Sequence, residues 1–357
     1  MMHNFNSGPS ILPASVLQQA AAGIQNFNNS GLSILEIGHR TPLFEEVLHT
    51  AQTLVKRLLN LPQHYEVLFL HGGATTQFLQ IPMNFLDTHA TAVYFNNGIW
   101  GKKAIEQAQA FGNVYVAADG SDKKHAYIPK NYTLSKQAAY VHITSNNTVE
   151  GTQWHQFPDT DLPLVADMSS DIFSRQLDYS KFSLIYCGAQ KNMGAAGVTM
   201  VAIDPQAFPT ISRPIPAMLH YQTHINNGSM LNTPPVFAVY VAMLTMQWIQ
   251  QEGGLAVMEQ RAIERSTKVY QALDALPAFI PTVAKEDRSH MNIVFTTQNP
   301  AWEELFLQRC KQENMVGVKG YRTVGGCRVS LYNAIDMQSV DALVNLLHQC
   351  NDDFLKK

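Results

Sequence analysis

The chain has 357 residues, of which 46% are apolar, enough for a sizeable core and, at roughly 150 residues per domain, for two domains. Lys and Arg number 25 against 28 Asp and Glu, so the formal charge of -3 gives no electrostatic footing for nucleic acid or an anionic membrane. The four cysteines, Cys187, Cys310, Cys327 and Cys350, are scattered and form no Cys-x-x-Cys pair, which argues against a disulfide framework or a cysteine zinc site, and no metal is expected.

The first residues, Met1 to Pro9, show no basic segment followed by an apolar one, so no export signal is read and a cytoplasmic protein is expected. Pro13-Ala14-Ser15 opens a helical run with Val16, Leu17, Ala20, Ala21 and Ile24 on one broad face. Pro42 to Leu59 repeats apolar residues every three or four positions, with proline in the first turn. Tyr65 to Leu70 reads as a strand. It runs into His71-Gly72-Gly73-Ala74-Thr75-Thr76, after which Gln77 to Phe85 can be helical. Glycines there let a backbone approach a ligand and free amides attract phosphate, although an ordinary turn has the same look.

The alternation continues. Strands are predicted at Thr91–Phe95, Asn113–Ala117, Ala139–Thr144, Pro163–Ala166 and Ser183–Cys187, with a helix over Trp100–Phe111. Val198–Ile203 can return antiparallel. Seven such runs describe an α/β unit with a mostly parallel sheet, which binds ligands beyond the carboxyl ends of its strands. Pro205 to Asn232 looks like a long irregular excursion, and the stretch Val236 to Ile249, too short to span a bilayer, fits a buried helix. Helices over 234–251 and 257–276 are expected to bridge two domains. From about Ala278 a smaller α+β unit follows, with strands at 290–295, 316–318 and 327–331 and helices at 302–313 and 337–350. The expected division is a large domain over 14–256 and a small one from 1–13 and 257–357.

Asp167 and Lys191 each come just past an apolar run. Either alone reads as a solvated surface charge. Small neighbours (Ser169, Ser170, Gly188, Ala189) at both strand ends suggest a cleft instead. A lysine held there has a lowered pKa and can attack a carbonyl, and an aspartate can hold a proton on a ring nitrogen.

The stretch Tyr186-Cys187-Gly188-Ala189-Gln190-Lys191-Asn192 resembles the cofactor-lysine motif of the phosphoserine aminotransferase family, within the class V aminotransferases. Phe5-Asn6-Ser7-Gly8-Pro9, Gly38-His39-Arg40, His71-Gly72-Gly73-Ala74 and Asn96 to Gly101 are similar to the same family. So are Asn147 to Gln153, Asp167 to Ser170, Asn232 to Pro235 and Val318 to Arg328, in order over nearly the whole chain.

The resemblance implies a fold-type-I pyridoxal 5'-phosphate (PLP) enzyme with a large seven-stranded domain, acting as a homodimer with active sites at the subunit interface. Lys191 would carry the cofactor and move a proton between substrate Cα and cofactor C4′, and Asp167 would pair with the pyridine nitrogen. Trp100 would stack on the ring and Thr148 would bond its phenolic side. Ala74, Thr75 and Gln190 would hold the cofactor phosphate, completed by Asn232 and Thr233 of the other subunit. Arg328 would take the substrate α-carboxylate through a bidentate pair. His39, Arg40 and Arg322 would hold the substrate phosphate or the glutamate side-chain carboxylate.

Two positions depart from the family. Tyr321 stands where a histidine is common and brings no imidazolium charge to that second anionic site. Ala195 replaces a common proline, which bears on loop stiffness. The implied reaction is amino transfer from L-glutamate to 3-phosphohydroxypyruvate, giving O-phospho-L-serine and 2-oxoglutarate, with 4-phosphohydroxy-L-threonine as a related substrate. A class V enzyme for alanine or unphosphorylated serine would not need so many anion contacts. A non-catalytic α/β binding module stands as the rival from another class. A serine hydrolase lacks its Gly-x-Ser-x-Gly elbow here, and a zinc hydrolase its His-Glu-x-x-His.

Overall fold

The computed structural model describes residues 1–322 and 324–356. A two-residue strand, β1 (His3–Asn4), precedes helices α1 (Ala14–Gln25) and α2 (Pro42–Leu58). Then come β2 (Glu66–Leu70), α3 (Gly73–Phe85), β3 (Thr91–Asn96), α4 (Ile99–Ala108), β4 (Asn113–Asp119), β5 (Val141–Thr144), β6 (Leu164–Asp167), β7 (Leu184–Gly188) and β8 (Thr199–Ile203). Strands β2 to β8 form one seven-stranded sheet in the order β2-β8-β7-β6-β5-β3-β4, in which β8 alone runs antiparallel.

The sequence of each strand explains its place. β5 to β8 are buried along their whole length. A parallel sheet covered on both faces selects continuous apolar runs over alternation. β4 contains no buried residue and closes the sheet as an edge. Helices α1 and α2 pack one face of the sheet, together with α6 (Val236–Gln251), which follows the short α5 (Tyr221–Asn226). Helices α3 and α4, with Tyr221 and Ile225 of α5, cover the other face.

Helix α7 (Gly254–Ala275) leaves this core for a second one. Its Leu255 and Met258 belong to the sheet core, and its Val269, Tyr270 and Leu273 to the C-terminal core. The remaining elements are β9 (Phe279–Pro281), β10 (Asn292–Thr297), α8 (Pro300–Gln312), β11 (Met315–Val316), β12 (Cys327–Ser330) and α9 (Met337–Leu355). β12, β10 and β9 make an antiparallel sheet in that order. β1 pairs in parallel with β11, and Phe5 lies in the C-terminal core.

The structure departs from the sequence reading in several places, and α9 also runs five residues past its predicted end. α6 packs its apolar residues wholly into the sheet core, so only α7 reaches both cores. α6 is apolar on every side, which marks burial and carries no information about which core buries it. α3 starts at Gly73, four residues before the predicted start, because left-handed Gly72 (φ 92°) turns the chain directly into it. The excursion over 205–232 contains α5 and a 3-10 turn at Ala217–Leu219. β9 was not expected, since three residues carry too little periodicity. No helix among the described residues is long and apolar enough to cross a membrane. All four cysteines are buried and free.

Candidate active site

β5, β6 and β7 end side by side. Their register pairs Thr144 with Asp167 and Asp167 with Tyr186. A cleft of about 320 Å³ opens over these ends. Of the residues singled out from the sequence, Ala74, Thr75, Trp100, Thr148, Asp167, Gln190, Lys191, Tyr321 and Arg328 line it. His39, Arg40, Asn232, Thr233 and Arg322 do not.

Asp167 is the last residue of β6 and is buried. Its Oδ1 accepts from the Ser169 amide at 2.9 Å and the Ser169 hydroxyl at 2.6 Å. Ser169 is itself held, its Oγ accepting from the Gly188 amide at the end of β7 at 3.2 Å. Oδ2 takes no hydrogen bond among the described residues, which leaves one oxygen for a donor in the cleft. Burial pushes the Asp167 carboxyl up, against the Lys191 charge and the Ser169 bonds, which pull it down.

Lys191 follows β7 by three residues, and the N-terminal segment clasps its loop. Ser10 donates from its amide to Gln190 O at 2.9 Å and from its hydroxyl to Lys191 O at 2.6 Å. Lys191 keeps part of its surface open to the cleft. Desolvation nonetheless lowers its pKa, assisted by the Arg328 charge and opposed by Asp167. A group poised this way is available as a neutral amine.

Gly72 and Gly73 both have positive φ and bring the β2 end into α3. Gly72 has no side chain to cap the first turn of α3, which runs past Ala74 and Thr75 along the cleft. Uncapped amides at a helix start form an anion site. Across the cleft, Trp100 in the first turn of α4 donates its indole N–H to Thr148 Oγ1 at 3.0 Å. Arg328 on β12 donates to Thr148 O at 2.8 Å, while its buried Nε has no partner. Among the described residues Asp167, Lys191 and Arg328 make no ion pair.

The residues off the cleft share another property. Arg40, Thr233 and Arg322 are exposed, and His39 and Asn232 are half-buried. His39 Nε2 is buried without a partner. The Thr233 carbonyl lies 2.9 Å from His71 Nε2, so the Asn232-Thr233 loop sits beside the start of the glycine turn.

Ser170, read from the sequence as a small neighbour at the cleft, and Asn146, just past β5, line it too, as do Ser7 and Gly8, to which sequence reasoning assigned no role there. Neither did it assign Ser10, which holds Lys191, or Glu150, whose carboxylate accepts from Ile99 at the start of α4. For Ser7, Gly8 and Glu150 the available signal was their position inside the motifs that carried the resemblance, and Ser10 lies just outside them.

A family model described as Aminotransferase class-V matches residues 2–343. The phosphoserine aminotransferase of Bacteroides thetaiotaomicron is 49% identical over 350 residues, spanning 97% of this chain and 98% of that one. The solved phosphoserine aminotransferase from Bacillus circulans subsp. alkalophilus superposes with a TM-score of 0.96 at 40% identity over 99% of each chain. The PLP-bound phosphoserine aminotransferase from Trichomonas vaginalis does so with a TM-score of 0.92 at 35% identity, over 98% of this chain and 100% of that one. The fold is therefore the type I fold of PLP enzymes, and the chain belongs to the phosphoserine aminotransferase family of the class V aminotransferases.

Proposed function

We propose that this chain transfers the amino group of L-glutamate to 3-phosphohydroxypyruvate, giving O-phospho-L-serine and 2-oxoglutarate, with PLP as cofactor. The observation that carries this reading is one cleft at parallel strand ends holding Lys191, Asp167 and Arg328, none of them spent on an ion pair among the described residues. The residues suit the cofactor. A carboxylate with one free oxygen suits a protonated ring nitrogen, and an uncapped glycine turn suits a phosphate.

When bound, PLP supplies an electron sink for the electron pair left at substrate Cα. The Asp167 carboxylate keeps a proton on the pyridine nitrogen. The Lys191 amine takes the proton from substrate Cα and returns it at C4′, a task suited to an amine whose pKa is lowered toward the working pH. Trp100 covers one face of the ring, and Thr148 bonds its phenolic side. Ala74, Thr75 and Gln190 hold the cofactor phosphate. Arg328 grips the α-carboxylate with a bidentate fork. His39, Arg40, Tyr321 and Arg322 bind the far anionic end of the substrate. Asn232 and Thr233 complete the phosphate cradle of the partner subunit in a homodimer. Their position outside their own subunit's cleft supports that assignment.

Conversion of 2-oxoglutarate to glutamate by the PLP-loaded protein tests the reading, with phosphoserine, serine, alanine or 4-phosphohydroxy-L-threonine as donor. A site built for phosphate should favour phosphoserine over serine by at least about 10³-fold in kcat/KM. Comparable use of serine or alanine would assign the chain to another class V reaction. No turnover and no cofactor band would leave the binding module.

A further inference from the structure

Helix α4 carries Trp100 in its first turn, yet it has no cap of its own. Gly98 occupies the N-cap position and contributes no side-chain bond. The cap comes from 51 residues away, where Glu150 Oε1 accepts from the Ile99 amide at 2.8 Å. Glu150 is only 8% exposed, and its Oε2 is buried with no partner. Gly98 makes room for it, since a Cβ there would lie 2.8 Å from that oxygen.

The same short segment reaches both sides of the cleft. Thr148 takes the Trp100 indole on its hydroxyl and the Arg328 guanidinium on its carbonyl. Arg328 in turn has no carboxylate within ion-pairing distance among the described residues. Glu150 is thus a buried carboxyl at the start of α4, two residues along the chain from the carbonyl that holds an unneutralised guanidinium.

We propose that Glu150 is a positioning residue that holds the first turn of α4, and that it takes up a proton when a substrate carboxylate occupies Arg328. The second half rests on the assignment of Arg328 to that carboxylate.

The electrostatics work as follows. Burial is the largest influence on Glu150 and favours its neutral form. The Ile99 amide and the Arg328 charge favour the carboxylate, and the balance sets its pKa at about 7. The one charged group that acts on it among the described residues is Arg328 from β12. Tyr332 and Tyr321 act on Arg328 in turn. A substrate carboxylate on Arg328 cancels the guanidinium field at Glu150, so the carboxyl then binds a proton more tightly. Binding linked to proton uptake weakens as pH rises. Substrate affinity should be flat below pH 7 and fall above it, until the carboxyl of the complex also ionises.

The test uses the PLP-loaded protein and maleate, an unreactive dicarboxylate, titrated calorimetrically at pH 7.5 in two buffers of different ionisation enthalpy. Glu150 in the wild type should contribute an uptake of about 0.3 to 0.8 proton per maleate. Glu150→Gln keeps an acceptor for Ile99 but cannot titrate. It should take up clearly fewer protons than wild type, the remainder arising at Lys191, whose pKa the Arg328 charge also lowers, and its KM for glutamate should lose most of the rise of about threefold or more expected of wild type between pH 7 and 8.5. Its kcat should stay within about twofold of wild type, since the held turn is retained. Uptake undiminished in Glu150→Gln overturns the proposal. In the wild type itself, infrared difference spectra should show a protonated carboxyl band growing on maleate addition, and its absence overturns the proposal even if the variant fails to fold. Failure of Arg328→Lys to weaken maleate binding would instead overturn the assignment of Arg328, a separate result.

Discussion

The two halves of the candidate site are built differently. The half at the strand ends is assembled within the chain. Asp167 is clamped by Ser169, Lys191 by Ser10, and Trp100 and Arg328 by Thr148. The other half, His39, Arg40, Asn232, Thr233 and Arg322, sits on loops outside the cleft, mostly in contact with solvent. Strands fix their ends to a fraction of an ångström because a ladder of hydrogen bonds registers each against its neighbour. Loops have no such ladder, so anion-binding side chains placed on them depend on a substrate or a second subunit for their final position. The proposed chemistry follows that division, with proton transfer and the α-carboxylate grip on the rigid half and recognition of the far anionic end on the adaptable one.

Four variants would break or sharpen the contrast. The largest effect belongs to Asp167→Asn, which should lower kcat by about 10²- to 10⁴-fold. It should also move the acid limb of the rate profile to lower pH. The sign follows from Lys191, whose lowered pKa is partly held up by the Asp167 charge, so removing that charge lowers it further. A limb that moves upward would mean that Lys191 is not the titrating base.

Arg328→Lys keeps the charge and loses the fork. An increase of about 10- to 100-fold in KM for glutamate is expected, with a smaller change in kcat. Steady-state kinetics on both constants would show whether the rigid half also handles substrate charge.

The Asn232→Ala/Thr233→Ala double variant should weaken cofactor binding by about tenfold, read by equilibrium dialysis. Mixed dimers sharpen this further. Pairing that variant with Lys191→Ala subunits leaves one intact site if the loop serves the partner, and about half of wild-type activity at limiting cofactor. If the loop serves its own subunit, no mixed dimer contains an intact site.

Tyr321→His should have the smallest effect, about fivefold or less on KM for phosphoserine. A histidine is charged below its usual pKa, so the gain in affinity should be present at low pH and fade as pH rises through about 6.5. A pH-independent change would place Tyr321 away from the substrate phosphate.

The large sheet was readable because burial on both faces writes apolar runs into the chain. β5 to β8 were each anticipated to within two residues, and the antiparallel return of β8 was too. β9 and α5 were not, because elements of three and six residues carry too little periodicity to stand out from loops. In the site, Asp167 and Lys191 showed themselves as charges placed just past apolar runs. Ser10 and Glu150 gave no such sign, since a serine in a loop and a glutamate in a polar stretch are unremarkable in composition.

The sequence by itself determined the strand-and-helix alternation, the ends of the central strands and the family motifs that lie on them. These depend on neighbours in the chain, where side-chain size, polarity and glycine act locally. Tertiary structure decided the partners. Ser10 meets Lys191 across 181 residues, and Arg328 meets Thr148 across 180. It also decided that Glu150 caps a helix whose own N-cap is a glycine, and that α7 runs from one core into the other. Contacts between distant segments exist only once the sheet has stacked its strands, so no local pattern in the chain records them.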